Sequence, residues 1–116
     1  MISIEKEKRP WGQFFVIHDE SNYKLKRIEV NYGGRLSYQF HHKRSEAWTI
    51  VDGVAHITLD GISKNYYKGD TILIPQGVKH RVENKSLKKL IFIEVQTGSY
   101  FGEDDIVRIE DDYNRV

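Results

Sequence analysis

Two Asp-Gly steps, Asp52-Gly53 and Asp60-Gly61, bracket the short run 54–59. They constrain what this chain can fold into more than any other feature of it. Asp-Gly between apolar runs is the strongest short-range hairpin signal, because both residues tolerate the positive φ of a tight turn. The rest of the sequence has the same grain. Alternating or short apolar runs over 13–18, 24–31, 35–40, 46–51, 54–59, 62–68, 71–74, 80–83 and 90–96 read as strands. Turn residues separate them, including "DESN", "NYGG", "HKRS", "KGD", "PQG" and "NKSLKK". No segment before Gly102 carries a sustained helical period, and the acidic tail is the one weak helix candidate, with extended or disordered chain as the alternative. So many strands with tight turns predict an all-β sandwich or jelly-roll barrel, and the small barrel is the expectation.

At 116 residues the chain is long enough for one hydrophobic core and too short for two. Eighteen Lys plus Arg against 17 Asp plus Glu leave a net charge of +1, so no general attraction to nucleic acid or to an anionic membrane is expected. Cysteine is absent, which removes thiolate and disulfide chemistry and fits a reducing compartment. "MISIEKEKRPWG" has charges where a signal peptide needs an apolar run, and no stretch approaches bilayer length. These features predict a soluble, cytoplasmic protein.

Between its glycine turns, "GGRLSYQFHHKRSEAWTIVDG" concentrates Gln39, His41, His42 and Glu46. Side chains two apart in a strand share a face, so Gln39 and His41 point the same way while His42 points opposite. Glu46 opens the next strand, and His80 opens a later one just after "PQGVK". If those strands are neighbours, an amide oxygen, two neutral imidazoles and a carboxylate converge. That set suits one divalent ion with open positions, zinc, manganese, cobalt, iron or nickel alike. Singly, each residue reads more simply as surface, as His18 and His56 do. Their joint spacing carries the metal reading.

The joint pattern resembles the cupin superfamily. Gly34, Gln39-x-His41, Glu46 and Gly53 match its first motif, with Gln where many members have His, and Gly69, Pro75, Gly77, His80 and Asn84 match its second. "RPWG", "LSYQFHHKRSEAW", "IPQGVKHRVEN" and "IEVQTGSYFGEDDIVRIEDDY" are similar to the C-terminal cupin domain of type II mannose-6-phosphate isomerases, which use Gln-x-His at that place. The resemblance implies a cupin double-stranded β-helix over 1–116, with the barrel at roughly 24–97 between an N-terminal strand and the acidic tail. It also implies a homodimer, which would bury a strand around residues 2–4 at a sheet edge. In that family the domain is often fused behind a mannose-1-phosphate guanylyltransferase. No Gly-rich phosphate loop appears in these residues, so nucleotidyl transfer is not expected of them.

The activity implied is interconversion of mannose 6-phosphate and fructose 6-phosphate through an enediol, with a sugar phosphate as the small-molecule partner. Gln39, His41, Glu46 and His80 would hold the metal. Glu94, which shares a face with Phe92 and Gln96, and His42 are the candidate proton carriers. Arg44, kept by the family motif, is the expected phosphate and catalytic cation, with Lys26, Arg81 and Arg108 behind it. Lys43 and Ala47 replace two histidines common in the family. They keep open a non-catalytic sugar-binding or regulatory cupin, and a metal-dependent dioxygenase remains a third reading. Trp48 and Phe92 read as core, and the acidic residues at 103–105 and 110–112 as a docked tail pairing with Arg108 and Arg115.

Overall fold

The computed structural model describes residues 5–113, all strand and turn apart from one short 3₁₀ turn. The strands are β1 (Glu5–Arg9), β2 (Gly12–Asp19), β3 (Tyr23–Val30), β4 (Tyr38–Phe40), β5 (Arg44–Asp52), β6 (Ala55–Leu59), β7 (Ile62–Tyr66), β8 (Thr71–Ile74), β9 (His80–Glu83), β10 (Leu90–Gly98) and β11 (Val107–Glu110). The 3₁₀ turn, Glu103–Asp105, precedes β11. A six-stranded sheet runs β1-β2-β3-β10-β5-β8, and a five-stranded sheet runs β11-β4-β9-β6-β7. Every pairing is antiparallel. This is the jelly-roll architecture of a cupin double-stranded β-helix.

The two Asp-Gly steps do different work. Asp60 and Gly61, with φ of 44° and 85°, close the β6–β7 hairpin between paired Leu59 and Ile62. Asp52-Gly53 closes no hairpin, because β5 and β6 lie in different sheets. It is a corner where the chain leaves one sheet for the other, and a Cβ on Gly53 (φ +83°) would lie 2.8 Å from the Lys89 carbonyl oxygen. The local signal for a tight turn is the same in both places. Only the partner strands differ, and those are set by tertiary packing.

Other expectations shift as well. The run 35–40 is a strand only over Tyr38–Phe40, preceded by an isolated bridge from Arg35 to Glu83. The weak helix candidate in the tail becomes the 3₁₀ turn and β11, which pairs with β4. Residues 5–9, not read as a strand from sequence, form β1 at the edge of the larger sheet. The strand expected around 2–4 falls outside the described residues.

Alternation sorts the interior into two halves. Along β5, Arg44, Glu46, Trp48 and Ile50 are buried, with partly exposed or exposed residues between them. Along β10 the buried set is Leu90, Phe92, Glu94 and Gln96. The register sets Phe92 against Ile50, Glu94 against Trp48 and Gln96 against Glu46. On the other side of β10, Ile28 faces Phe92 and Lys26 faces Glu94. One end of the interior is therefore apolar, where Val30, Ile50, Ile57, Val82, Leu90 and Phe92 are all but completely buried. The other end is lined with charge. Trp48 stands at the boundary, its ring 4.8 Å from that of Phe92.

Asn84, the last residue of the second sequence motif, is fully buried. Its Nδ2 donates to the carbonyls of Val30 (2.9 Å) and Lys88 (2.8 Å), while its Oδ1 accepts from Ser86 N and Oγ. Both ends of the amide are thus satisfied. It fastens the end of β9 to β3 and to the turn that starts β10.

Candidate metal centre

His41 follows β4, Glu46 points inward from β5, and His80 opens β9 directly opposite Gln39 on β4. The Pro75–Gly77 turn lies over this end, and the Gly77 N–H donates to the His41 carbonyl at 2.9 Å. Each of His41, Glu46 and His80 is buried, and their ligand atoms all lie within 4.8 Å of one another. The two imidazole centroids are 5.0 Å apart.

The tautomers follow from the partners. His41 Nδ1 is 3.0 Å from the Asp105 carbonyl oxygen and His80 Nδ1 is 2.9 Å from that of Val78. Carbonyls only accept, so Nδ1 carries a hydrogen in both rings, and it is Nε2 that is left to face the centre. Burial pushes the His80 imidazole below its ordinary pKa against the opposing pull of Glu46. It is a neutral ligand as it stands, and its Nε2 is buried with no hydrogen-bond partner. His41 Nε2 lies 3.2 Å from Glu46 Oε2 and His80 Nε2 lies 3.8 Å from Glu46 Oε1. The unpartnered His80 nitrogen and the carboxylate are acceptors facing one another, an arrangement that a cation resolves, while His41 Nε2 has Arg44 Nη2 beside it at 3.3 Å. The residues present fit a divalent ion.

Glu46 is the anion of the set. Burial favours its protonated form, but its charged surroundings, in which Arg44 is the permanent cation, outweigh burial and hold the carboxyl well below the usual range. Arg44 Nε donates to Glu46 Oε2 at 2.8 Å, and its Nη2 approaches His41 Nε2 at 3.3 Å.

A second carboxyl has the opposite character. Trp48 Nε1 donates both to Glu46 Oε1 (3.0 Å) and to Glu94 Oε2 (2.9 Å), and Gln96 Nε2 donates to Glu94 Oε1 at 2.6 Å. Burial first, and the nearby charge of Glu46 second, push Glu94 up to about 8. Two neighbouring carboxyls, one ionised and one holding its proton at neutral pH, divide the labour of an acid–base site.

Beside them is a cavity of about 60 Å³ whose walls include Gln39, Arg44, Glu46, Trp48 and Glu94, with buried Lys26 and the more exposed Arg9 and Glu103 also lining it. Gln39 lines this cavity, its amide oxygen accepting from Ser37 Oγ at 3.3 Å. Lys26 is buried, its Nζ 4.2 Å from the Phe14 ring centroid.

Two candidates lie elsewhere. His42 is exposed outside the cavity, edge-on to Phe40 at 5.2 Å, as expected of the residue that alternates out of phase with His41. Arg81 alternates with His80 and faces away from the centre. Its Nε donates to the Leu36 carbonyl, its Nη2 to that of Glu110, and it is buried by these structural contacts. Neither position suits a group that meets substrate.

The sequence reading missed Arg9, Gln96 and Asp105 as parts of this end of the molecule. Asp105 accepts from the backbone N–H groups of His42 and Lys43 while its own carbonyl orients His41. The acidic tail does dock, though Glu103 faces Arg9, Lys26 and Arg44, Asp112 pairs with Arg35, and Glu110 pairs with Arg81. Arg115 lies outside the described residues. Arg9 and Asp105 both sit in stretches quoted above for their resemblance, "RPWG" and "FGEDD", which was the available signal.

The family described as mannose-6-phosphate isomerase C-terminal matches residues 3–111. Mannose-1-phosphate guanylyltransferase ManC of Salmonella typhimurium is 45% identical over 108 residues, which are 93% of this chain and 22% of that protein. Xanthan biosynthesis protein XanB of Xanthomonas campestris is 44% identical over 111 residues, 96% of this chain and 24% of the relative. The chain thus spans about a quarter of these relatives or less. Among solved structures, an RmlC-like cupin from Shewanella frigidimarina superposes with a TM-score of 0.74 at 21% identity, covering 89% of this chain and 87% of that one. A double-stranded β-helix protein from Klebsiella pneumoniae gives 0.73 at 20%, covering 83% and 77%. At those identities the likeness speaks for the fold.

Proposed function

This chain belongs to the family of mannose-6-phosphate isomerase C-terminal cupin domains, and from that premise we propose that it interconverts mannose 6-phosphate and fructose 6-phosphate. The observation that carries the reading is that a proton-holding Glu94 and Glu46, the carboxylate of the His41–Glu46–His80 cluster, line one cavity. An aldose–ketose isomerisation moves a proton between C2 and C1 and is served by a group able to exist in both protonation states near neutral pH. Glu94 meets that condition.

His41, Glu46 and His80 would hold a divalent ion, with Gln39 as a fourth, amide ligand; zinc, manganese, cobalt, iron and nickel all suit this donor set. When bound, such an ion supplies Lewis-acid polarisation of sugar oxygens. The chain's own groups do the rest. Glu94 takes the C2 proton once it is ionised and returns it to C1 as the enediol collapses, while the O2 hydroxyl proton passes to O1, so the carboxyl ends as it began. Trp48 Nε1, shared between Glu46 and Glu94, keeps the two carboxyls in fixed relation through that cycle. Arg44 and Lys26, buried in the cavity wall beside the Glu103 carboxylate, are the cations for the phosphate. The Trp48–Phe92 boundary keeps bulk water from the apolar side.

A coupled assay of fructose 6-phosphate formation from mannose 6-phosphate, run with each of the five metals, tests the reading. Turnover with incorporation of solvent deuterium at C1 of the product or C2 of the substrate is the expected result. Saturable sugar-phosphate binding without turnover under every metal would replace the isomerase by a sugar-binding cupin. The same reading carries a homodimer joined through sheet edges and a cytoplasmic setting; sedimentation of the full chain measures the former. Among the described residues no helix is long and apolar enough to cross a membrane.

A further inference from the structure

Glu103 stands at the mouth of the cavity, and the reaction proposed above gives it no task. Its side chain is 41% exposed, yet its carboxylate lies among three cations drawn from three strands. Oε1 is 3.8 Å from Arg9 Nη2 and 3.6 Å from Lys26 Nζ, and Oε2 is 3.7 Å from Arg44 Nη1. Burial raises its pKa, but Lys26, Arg44, Lys24 and Arg9 together outweigh burial and keep it ionised.

The fit is loose. All three separations are ion-pair distances beyond hydrogen-bond reach. Arg44 is only 4% exposed, and its Nη1 is buried with no hydrogen-bond partner. An orphaned guanidinium donor in a buried position is costly unless something fills it. The cations themselves are held in place by other contacts. Arg44 Nε is fixed by Glu46, and Lys26 and Arg9 rest on the one Phe14 ring at 4.2 and 4.9 Å. A receptor is thus preformed around a planar, two-oxygen group on a short leash. A tetrahedral group with three terminal oxygens and nearly two negative charges would reach all three cations at once.

We infer that Arg9, Lys26 and Arg44 form a receptor for a phosphomonoester dianion, and that Glu103 occupies it as an intramolecular stand-in which the ligand displaces. The free space beside these cations is about 60 Å³, against the ~300–1,000 Å³ of ordinary ligand sites, so a sugar phosphate reaches all three cations once this carboxylate has swung out. The swing is local. Two residues on, Asp105 stays fastened to the backbone N–H groups of His42 and Lys43 and to His41 Nδ1. The mouth opens while the imidazole keeps its orientation.

The inference rests on the isomerase reading only for the source of the phosphate, and inorganic phosphate tests it without that reading. Calorimetric titration of the full chain with inorganic phosphate should show Glu103→Gln binding about tenfold tighter than the unaltered protein, the factor expected if Glu103 fills the receptor nine-tenths of the time. Adding Arg9→Gln to that variant should weaken phosphate again by roughly fivefold or more, since one charge-assisted contact is lost. Glu103 is exposed and Arg9 half-buried, and thermal unfolding of each variant checks that it folds. Equal phosphate affinity with and without Glu103 overturns the displacement, and indifference to Arg9→Gln removes Arg9 from the receptor. Tighter phosphate binding in Glu103→Gln with no turnover of mannose 6-phosphate would leave the receptor standing and end the isomerase reading. Turnover with KM and phosphate affinity both unmoved by Glu103→Gln would do the reverse.

Discussion

Replacing Glu94 by Gln tests the division between the two buried carboxyls. Glu94 is displaced from an ordinary 4.5 to about 8, by burial and then by the charge of Glu46. A raised carboxyl pKa means that the folded chain keeps a proton which the unfolded chain releases above about 4.5. The contribution to stability is therefore complete below that pH. It drains away at up to about 1.4 kcal/mol per pH unit as pH climbs toward 8, and levels off beyond. Over the whole interval the unaltered, metal-free protein gives up on the order of 5 kcal/mol. Glutamine has no proton to lose, so the variant lacks this slope. It also keeps the packing. One amide atom accepts from Trp48, and the amide N–H₂ can donate to the Gln96 side-chain oxygen, which is buried and without a partner beside Glu94. Urea unfolding in the presence of a chelator, at half-unit steps from pH 5 to 8.5, reads the difference directly. The variant should be close to the unaltered protein at pH 5 and more stable by roughly 3 kcal/mol at pH 7.5. It should also have lost isomerase turnover. Parallel stability profiles for the two proteins across that range would refute the assignment of the held proton to Glu94.

His80→Ala removes an imidazole whose inward nitrogen has no other partner; metal affinity measured by competition with a chromophoric chelator should fall by more than about a hundredfold, beyond the loss typical of a merely supporting residue. Asn84→Ala deletes an amide that makes four hydrogen bonds at zero exposure. Thermal and urea unfolding should show a loss of about 2–4 kcal/mol, with buried carbonyls of Val30 and Lys88 left unpaired. Gly53→Ala puts a Cβ 2.8 Å from the Lys89 carbonyl oxygen at φ +83°, so a loss of about 2 kcal/mol or more is expected. The equivalent change at Gly61, where nothing lies within 4 Å, should cost about 1 kcal/mol, from the left-handed backbone alone.

Much of the fold was legible because its signals are local. Alternation places Glu46 and Trp48 on one face of β5 and Glu94 with Phe92 and Gln96 on one face of β10, and period two is a property of the strand itself. What sequence could not supply is register. That Glu94 meets Trp48 and Gln96 meets Glu46 depends on the offset of β10 against β5, and no residue in either strand encodes it alone. The Asp52-Gly53 corner carries the signal of a hairpin for the same reason, since the sheets that its two strands join are not written in the turn. Trp48 read as core and is core, yet its N–H also joins two carboxyls, since a buried indole nitrogen seeks an acceptor. Glu103 and Asp105 read as part of a docked tail, but whom they meet was hidden, because their partners, Arg9, Lys26, Arg44 and the amides at 42 and 43, are distant in sequence. His42 and Arg81 failed as site candidates through parity. Each is one step out of phase with a residue that points in.

The indole of Trp48 has one edge on Phe92 and the other on Glu46 and Glu94. The part of the molecule that would do chemistry and the part that resists heat therefore share a single hinge pin. A chain built this way has little room to trade rigidity for turnover. Any loosening of its apolar half turns the indole, and the two acids lose their common reference. Selection for cold-adapted or heat-adapted forms would have to act at the mouth and the tail, leaving this ring where it is.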